Sequence, residues 1–222
     1  MATSGTTSFN LSVDELIEEA YERCGLELRT GYDLETARRS LNIMIAEWAN
    51  RGLNQWLITE QSFTVTQGTN EYSLGTDVVD ITSAVMTRDN TDFQMSRLSR
   101  SDYLYTPNKT DQARPTQFFL ERHITPKVYL YPTPENSTDV IKYYALTRMQ
   151  DVGDYTNNME AVFRFIPCMT AGLAYYIAMK RAPDRIQLLK AVYEEEFERA
   201  MTEDRDRSSF NVVPAYQYFR TT

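Results

Sequence analysis

The sequence predicts an α+β protein: a helical bundle formed by N- and C-terminal helix pairs, an inserted antiparallel β sandwich or barrel, and an extended C-terminal arm. Three observations carry this. Apolar residues recur with a helical period before residue 52 and again after residue 158, and the period falls to two between about residues 59 and 146. The last fifteen residues keep neither period yet stay rich in large apolar side chains.

The first helix is announced by Ser12 with Glu15 three residues later, a capping box, and by Leu11, which can staple onto Leu16. Its stripe is Val13, Leu16, Ile17, Ala20, Tyr21 and Cys24, and Gly25 ends it. Asp33 is the expected cap of a second helix, with Leu34, Ala37, Leu41, Met44, Ile45 and Trp48 on one face and Gly52 as its stop. Strands follow at Ser62–Thr66, Glu71–Leu74, Val79–Met86, Gln117–Glu121, Lys127–Tyr131 and Val140–Leu146. Turn-rich pieces such as Arg88–Thr91 separate them, and a helical turn is expected near Ser101–Tyr105.

After the polar stretch Asp151–Asn158 a helix carries Phe165, Ile166, Met169, Leu173, Tyr176 and Ile177, with Pro167 tolerated in its first turn. Pro183 suits the start of another, with Ile186, Leu189, Tyr193, Phe197, Ala200 and Met201 on one face. Each amphipathic pair must bury its stripe, so the two pairs are expected to pack as one bundle around the inserted β segment. The expected units are residues 1–57 and 149–207 for the two halves of the helical domain, 58–148 for the β domain, and 208–222 for the arm.

Composition excludes much. With 31 acidic against 23 basic residues the net charge is −8, the wrong sign for a protein that grips nucleic acid phosphates or anionic lipid. By region the charge is −4 over residues 11–51, −2 over 52–182, −4 over 183–206 and +2 over 207–222. The acid therefore sits on the helical segments. One His and two Cys cannot build a four-ligand His/Cys zinc site, so no metal and no cofactor are expected. Cys24 and Cys168 read as buried apolar thiols of an intracellularly made protein. The opening MATSGTTSFNLS has neither the basic nor the apolar region of a secretory signal, and Ile166–Met179 is too short to span a bilayer.

No Gly-rich phosphate loop or nucleophile elbow occurs, and His123 reads as a strand-end residue without a catalytic partner. Acid runs such as Glu18-Glu19-Glu22 and Glu194-Glu195-Glu196 read as solvated helix faces rather than paired catalytic carboxylates. No catalytic residue is expected.

Larger motifs are more informative. Arg114-Pro115-Thr116-Gln117-Phe118-Phe119-Leu120, followed by Val128-Tyr129-Leu130-Tyr131-Pro132-Thr133-Pro134, resembles strands of the head-to-tail adaptor proteins of short-tailed phages, the tail tubular protein A-like family. The likeness continues through Phe163–Pro167, Ala171–Ala178, Glu194–Ala200 and Glu203–Arg205, and in Trp48-Ala49-Asn50-Arg51-Gly52, covering roughly residues 10–207. The resemblance implies a non-enzymatic virion protein: a homo-oligomeric ring, typically of twelve copies, between the portal protein and the tail nozzle protein. Such a ring is assembled in the host cytoplasm and forms part of the DNA ejection channel at the portal vertex. DNA passes through without specific binding, no membrane is involved, and tail fibres are a further candidate partner. The resemblance also implies that the arm docks on the portal, with Phe210, Val212, Val213, Tyr216, Tyr218 and Phe219 as apolar anchors that order on binding. Arg38, Arg39 and Arg199, next to helical acids, suit contacts between two different faces of neighbouring copies. The alternative is a tail-associated glycan-binding module or hydrolase using β-domain aromatics such as Tyr103, Tyr105, Tyr129 and Tyr131.

Overall fold

The computed structural model describes residues 5, 11–29, 31–51, 57–154, 156 and 158–204. Among the described residues are five helices and ten strands, with helices at both ends and strands between them as expected. Helices α1 (Val13–Arg23) and α2 (Gly31–Arg51) open the chain, and α4 (Ile166–Arg181) and α5 (Ile186–Glu203) close its described part. Between them run β1 (Ile58–Thr64), β2 (Glu71–Ser73), β3 (Val78–Arg88), β4 (Thr91–Gln94), β5 (Ser96–Arg97), the short α3 (Arg100–Tyr105), β6 (Gln112–Ala113), β7 (Gln117–Glu121), β8 (Lys127–Tyr131), β9 (Thr133–Pro134) and β10 (Val140–Thr147). The fold is mixed α+β, as the two periods require.

The helix ends follow local chemistry. At α1 the Ser12 N–H donates to the Glu15 carboxylate at 3.0 Å, closing the capping box, and Gly25 at φ 69° lets Leu26 N–H return to the Tyr21 carbonyl. Asp33 departs from expectation. The second helix already begins at Gly31, so Asp33 lies inside its first turn, buried, with its carboxylate accepting from Arg181 at 2.7 Å. A partner 148 residues away makes better use of that carboxylate than a local cap, while it still faces the positive end of α2. Pro167 falls in the first turn of α4, and Pro183 opens a 3-10 turn (Pro183–Arg185) that runs into α5.

Residues from both ends share one core: Leu16, Ile17, Leu41, Met44 and Trp48 pack with Phe165, Met169, Leu173, Ile177 and Tyr193. Helix α4 is buried on nearly all sides because α1, α2 and α5 surround it.

The β segment has its own core. Sheet β1-β10-β3-β4 faces sheet β2-β8-β7-β5, and inward residues of both, among them Ile81, Met86, Ile141 and Ala145 from one and Phe118, Leu120, Val128 and Leu130 from the other, fill the space between. The long pairings are antiparallel, but β5–β7 and the two-stranded β6–β9 are parallel. Strands β4, β5, β6 and β9 are not among the expected ones, because two to four residues here carry no alternation to read. Arg88–Thr91 is a tight turn with Asp89 and Asn90 both at positive φ, which brings β4 back onto β3. Pairing of β1 with β10 sets Ile58 opposite Leu146, so the chain leaves and re-enters the helical core at one place.

Candidate interaction surfaces

The six arm residues Phe210, Val212, Val213, Tyr216, Tyr218 and Phe219 lie outside the described residues. The root of that segment is described. Asp204, buried at the end of α5, pairs with Arg164 of the 3-10 turn Phe163–Phe165.

The β-domain aromatics are occupied with one another. Tyr103 stacks on Phe119 at 5.1 Å and lies 5.3 Å from Tyr129, which in turn stacks on Phe119, so the faces a sugar would need are shared among the rings. Tyr129 donates its hydroxyl to Glu121 at 3.2 Å, and burial together with that carboxylate pushes the phenol up to about 12. Tyr131 lies on the neighbouring strand position and is partly buried, whereas Tyr105 projects into solvent. His123 is an exposed residue in the β7–β8 connection, 3.2 Å from Glu121, with no nucleophile in its bonded surroundings.

A cleft of about 270 Å³ lies on the outer face of the β1-β10-β3-β4 sheet, lined in part by Glu60, Asp92, Lys142 and Tyr144. Two carboxylates there invite comparison with a hydrolase. Asp92, however, accepts from the Thr87 hydroxyl at 2.6 Å, which holds its carboxyl below the usual range, the opposite of what a general acid needs. Among the described residues no group of three or more His, Cys, Asp or Glu is placed to hold a metal, and no helix is long and apolar enough to cross a membrane. Cys24 and Cys168 are both buried, and Cys24 donates its Sγ–H to the Ala174 carbonyl at 3.1 Å.

The helical surfaces carry the charge. Glu18, Glu19 and Glu22 of α1 and Glu194 and Glu195 of α5 are exposed, while Glu196 is half-buried. Arg199 pairs with Glu195 and Glu196 on its own helix, and Arg38 reaches the Gly153 carbonyl at 3.3 Å. Arg39 is exposed beside Lys180, a cationic pairing across α2 and α4 that the sequence did not reveal. A partial signal was there: Ile43, Met179, Leu188 and Val192 are apolar yet fall off the core stripes, and all four are exposed.

No curated protein matches the chain. A family model described as the SU10 adaptor protein matches residues 11–216, taking in both helix pairs and the whole β segment. That coverage agrees with the adaptor resemblance of the strand and helix motifs, and the chain therefore belongs to the SU10 adaptor protein family, a family of phage structural adaptors.

Proposed function

We propose that this adaptor is the ring joining portal to tail: about twelve copies lie between the portal protein and the tail nozzle protein and surround the path of the ejected DNA. The observation that supports this reading is the continuous family match from residue 11 to residue 216, which treats helix pairs, β insert and the start of the arm as one adaptor. In this reading residues 1–57 and 149–207 build the ring, 58–148 form a β domain facing outward or toward the tail, and 208–222 dock on the portal. Phe210, Val212, Val213, Tyr216, Tyr218 and Phe219 are the proposed anchors. The net charge of −8 suits a conduit, because acidic walls do not hold passing phosphates.

Electron microscopy of particles carrying labelled protein tests the placement: density at the portal vertex is expected, and density elsewhere on the particle overturns it. The arm is tested separately by deleting Ser208–Thr222. Loss of portal binding with an unchanged melting transition is expected, whereas full-strength binding by the truncated chain removes the arm assignment.

A further inference from the structure

We infer that copies of this chain join head to tail through two specific faces: the basic, apolar seam between α2 and α4 of one copy, and the acidic, apolar outer stripe of α5 of the next. The inference takes from the proposed function only that a ring exists; the faces are argued from the surface itself.

On the first face, α2 and α4 run antiparallel, fixed by Lys180 donating to Ser40 Oγ at 2.7 Å and Tyr176 donating to Glu47 at 2.8 Å. Ile43 follows Ser40 one turn along α2 and is 52 % exposed; Met179, 45 % exposed, lies one turn on from Tyr175 on the side of α4 toward α5. Arg39 and Lys180 have no carboxylate partner among the described residues, while Arg181 is already committed to Asp33. Burial, then the nearby Arg39 and Arg181, hold the Lys180 ammonium below its ordinary value. The face is therefore cationic at its Arg39–Lys180 end.

The second face is its complement. Leu188 (67 % exposed) and Val192 (36 %) lie one helical turn apart, and Glu195 continues the same stripe. Glu198, also exposed, has no basic partner among the described residues. The outer face of α1, by contrast, is charged throughout, from Asp14 to Arg23, and shows no exposed large apolar side chain. Apolar residues beside an excess of acid, with Glu195 paired to Arg199 and Glu198 without a basic partner among the described residues, single out α5.

The two faces point apart. Helix α2 meets α5 through Arg51, which bonds Glu194 at 2.7 Å and lies 4.9 Å from the Phe197 ring. Phe197 is on the side of α5 away from Leu188 and Val192, with Glu194 between the two sides, as a period of 3.6 residues requires. Two different patches on opposite sides of a subunit are what a closed heterologous ring needs.

Cysteine cross-linking tests the pairing, since native Cys24 and Cys168 are buried. In the concentrated full chain and in the portal-bound assembly, I43C/V192C should give a ladder of covalent multimers under mild oxidation, and I43C/E18C should not. No ladder from I43C/V192C in either preparation overturns the inference. Charge reversal gives a second readout: K180E, which also loses the Ser40 bond and is therefore read at a temperature where it remains fully folded, and E198K should each weaken self-association at least about tenfold. The two reversals combined in one chain should restore it to within about threefold. Undiminished association of K180E, or a K180E defect confined to retention of duplex DNA, overturns the protein–protein assignment. A ladder from protein absent from the portal vertex leaves the faces standing and removes the adaptor placement; vertex-located protein that gives no ladder does the reverse.

Discussion

Trp48 donates its indole N–H to the hydroxyl of Tyr193 at 2.8 Å, across 145 residues of sequence, and both side chains are almost fully buried. The bond ties the N-terminal helix pair to the C-terminal pair at the centre of their shared core. Around it Trp48 contacts Phe165 and Phe197, and the Arg51 guanidinium lies 5.1 Å from the Tyr193 ring. Burial pushes the Tyr193 phenol well above its ordinary range, so the hydroxyl stays neutral at any working pH.

Tyr193→Phe should therefore destabilise the fold by about 1–3 kcal/mol, because the ring volume is kept while a buried indole N–H loses its acceptor. The drop should appear as a lower denaturant midpoint with an unchanged slope. A shift below a few tenths of a kcal/mol would mean that water replaces the lost acceptor.

Gly172 sets how closely the helices approach. A Cβ there would meet the Tyr193 ring at 2.7 Å and crowd the Met44 sulfur as well. Replacing glycine by alanine in mid-helix gains about 1 kcal/mol of propensity, while overpacking a tight core loses about 1–3 kcal/mol. Two fixed neighbours make the clash the larger effect. Gly172→Ala is expected to lower the melting temperature, and Met44→Ala in the same chain should recover part of the loss by opening room on one side.

Both partners of that core were legible as members of helical stripes, since a 3.6-residue period needs only one strand of sequence to be seen. Their contact was not, because nothing local to Trp48 distinguishes Tyr193 from Phe197 or Tyr176 as its partner. The same limit explains Asp33, where a local cap and a distant Arg181 compete for one carboxylate and only the assembled fold decides. The β insert was readable as far as its alternation runs. Lys127–Tyr131 and Gln117–Glu121 were found to the residue, whereas the two-residue parallel strands at Ser96 and Gln112 exist only through their partners. The Arg39–Lys180 face was hidden for a related reason, since its two cations come from helices separated by the whole β segment.

Asp139, only 1 % exposed, carries a second long-range pair: Arg88 donates to it through Nε at 2.9 Å and Nη2 at 2.7 Å. The Arg88 hydrogen bonds hold its carboxyl below the ordinary 3.8, despite burial acting the other way. A depressed carboxyl pKa stabilises the fold fully above the unfolded value, and that contribution is lost as pH falls from about 4 through the folded value. Asp139→Asn should cost about 1–3 kcal/mol near pH 7. The gap between wild type and variant should narrow in unfolding curves taken from pH 6 down to pH 3. A gap that stays constant over that range would assign the cost to lost hydrogen-bond geometry rather than to charge.

The thiols should be silent in the native protein. Burial pushes Cys168 up to about 12 and raises Cys24 above its ordinary value, so neither carries appreciable thiolate at pH 8. Titration with a chromogenic disulfide reagent should show no reaction before unfolding and two equivalents after it. Fast labelling of either thiol in the folded chain would place an opening in the α1–α4 or α4–α5 packing.

Arg164 and Asp204 link stability to the proposed arm. Asp204 has a fully buried side chain and is the last described residue before the segment leading to Ser208, and its partner Arg164 is partly exposed. Arg164→Ala removes the arginine paired with a buried carboxylate, a change worth about 2–4 kcal/mol given some solvent access on the arginine side. Asp204→Asn should cost less, because the amide is uncharged and can still accept a bond from the guanidinium. If the pair only supports the bundle, portal binding by the two variants should follow their melting temperatures. If it also aims the arm, Arg164→Ala should weaken portal binding at a temperature where the variant remains fully folded, and a binding isotherm paired with circular dichroism at that temperature separates the two cases.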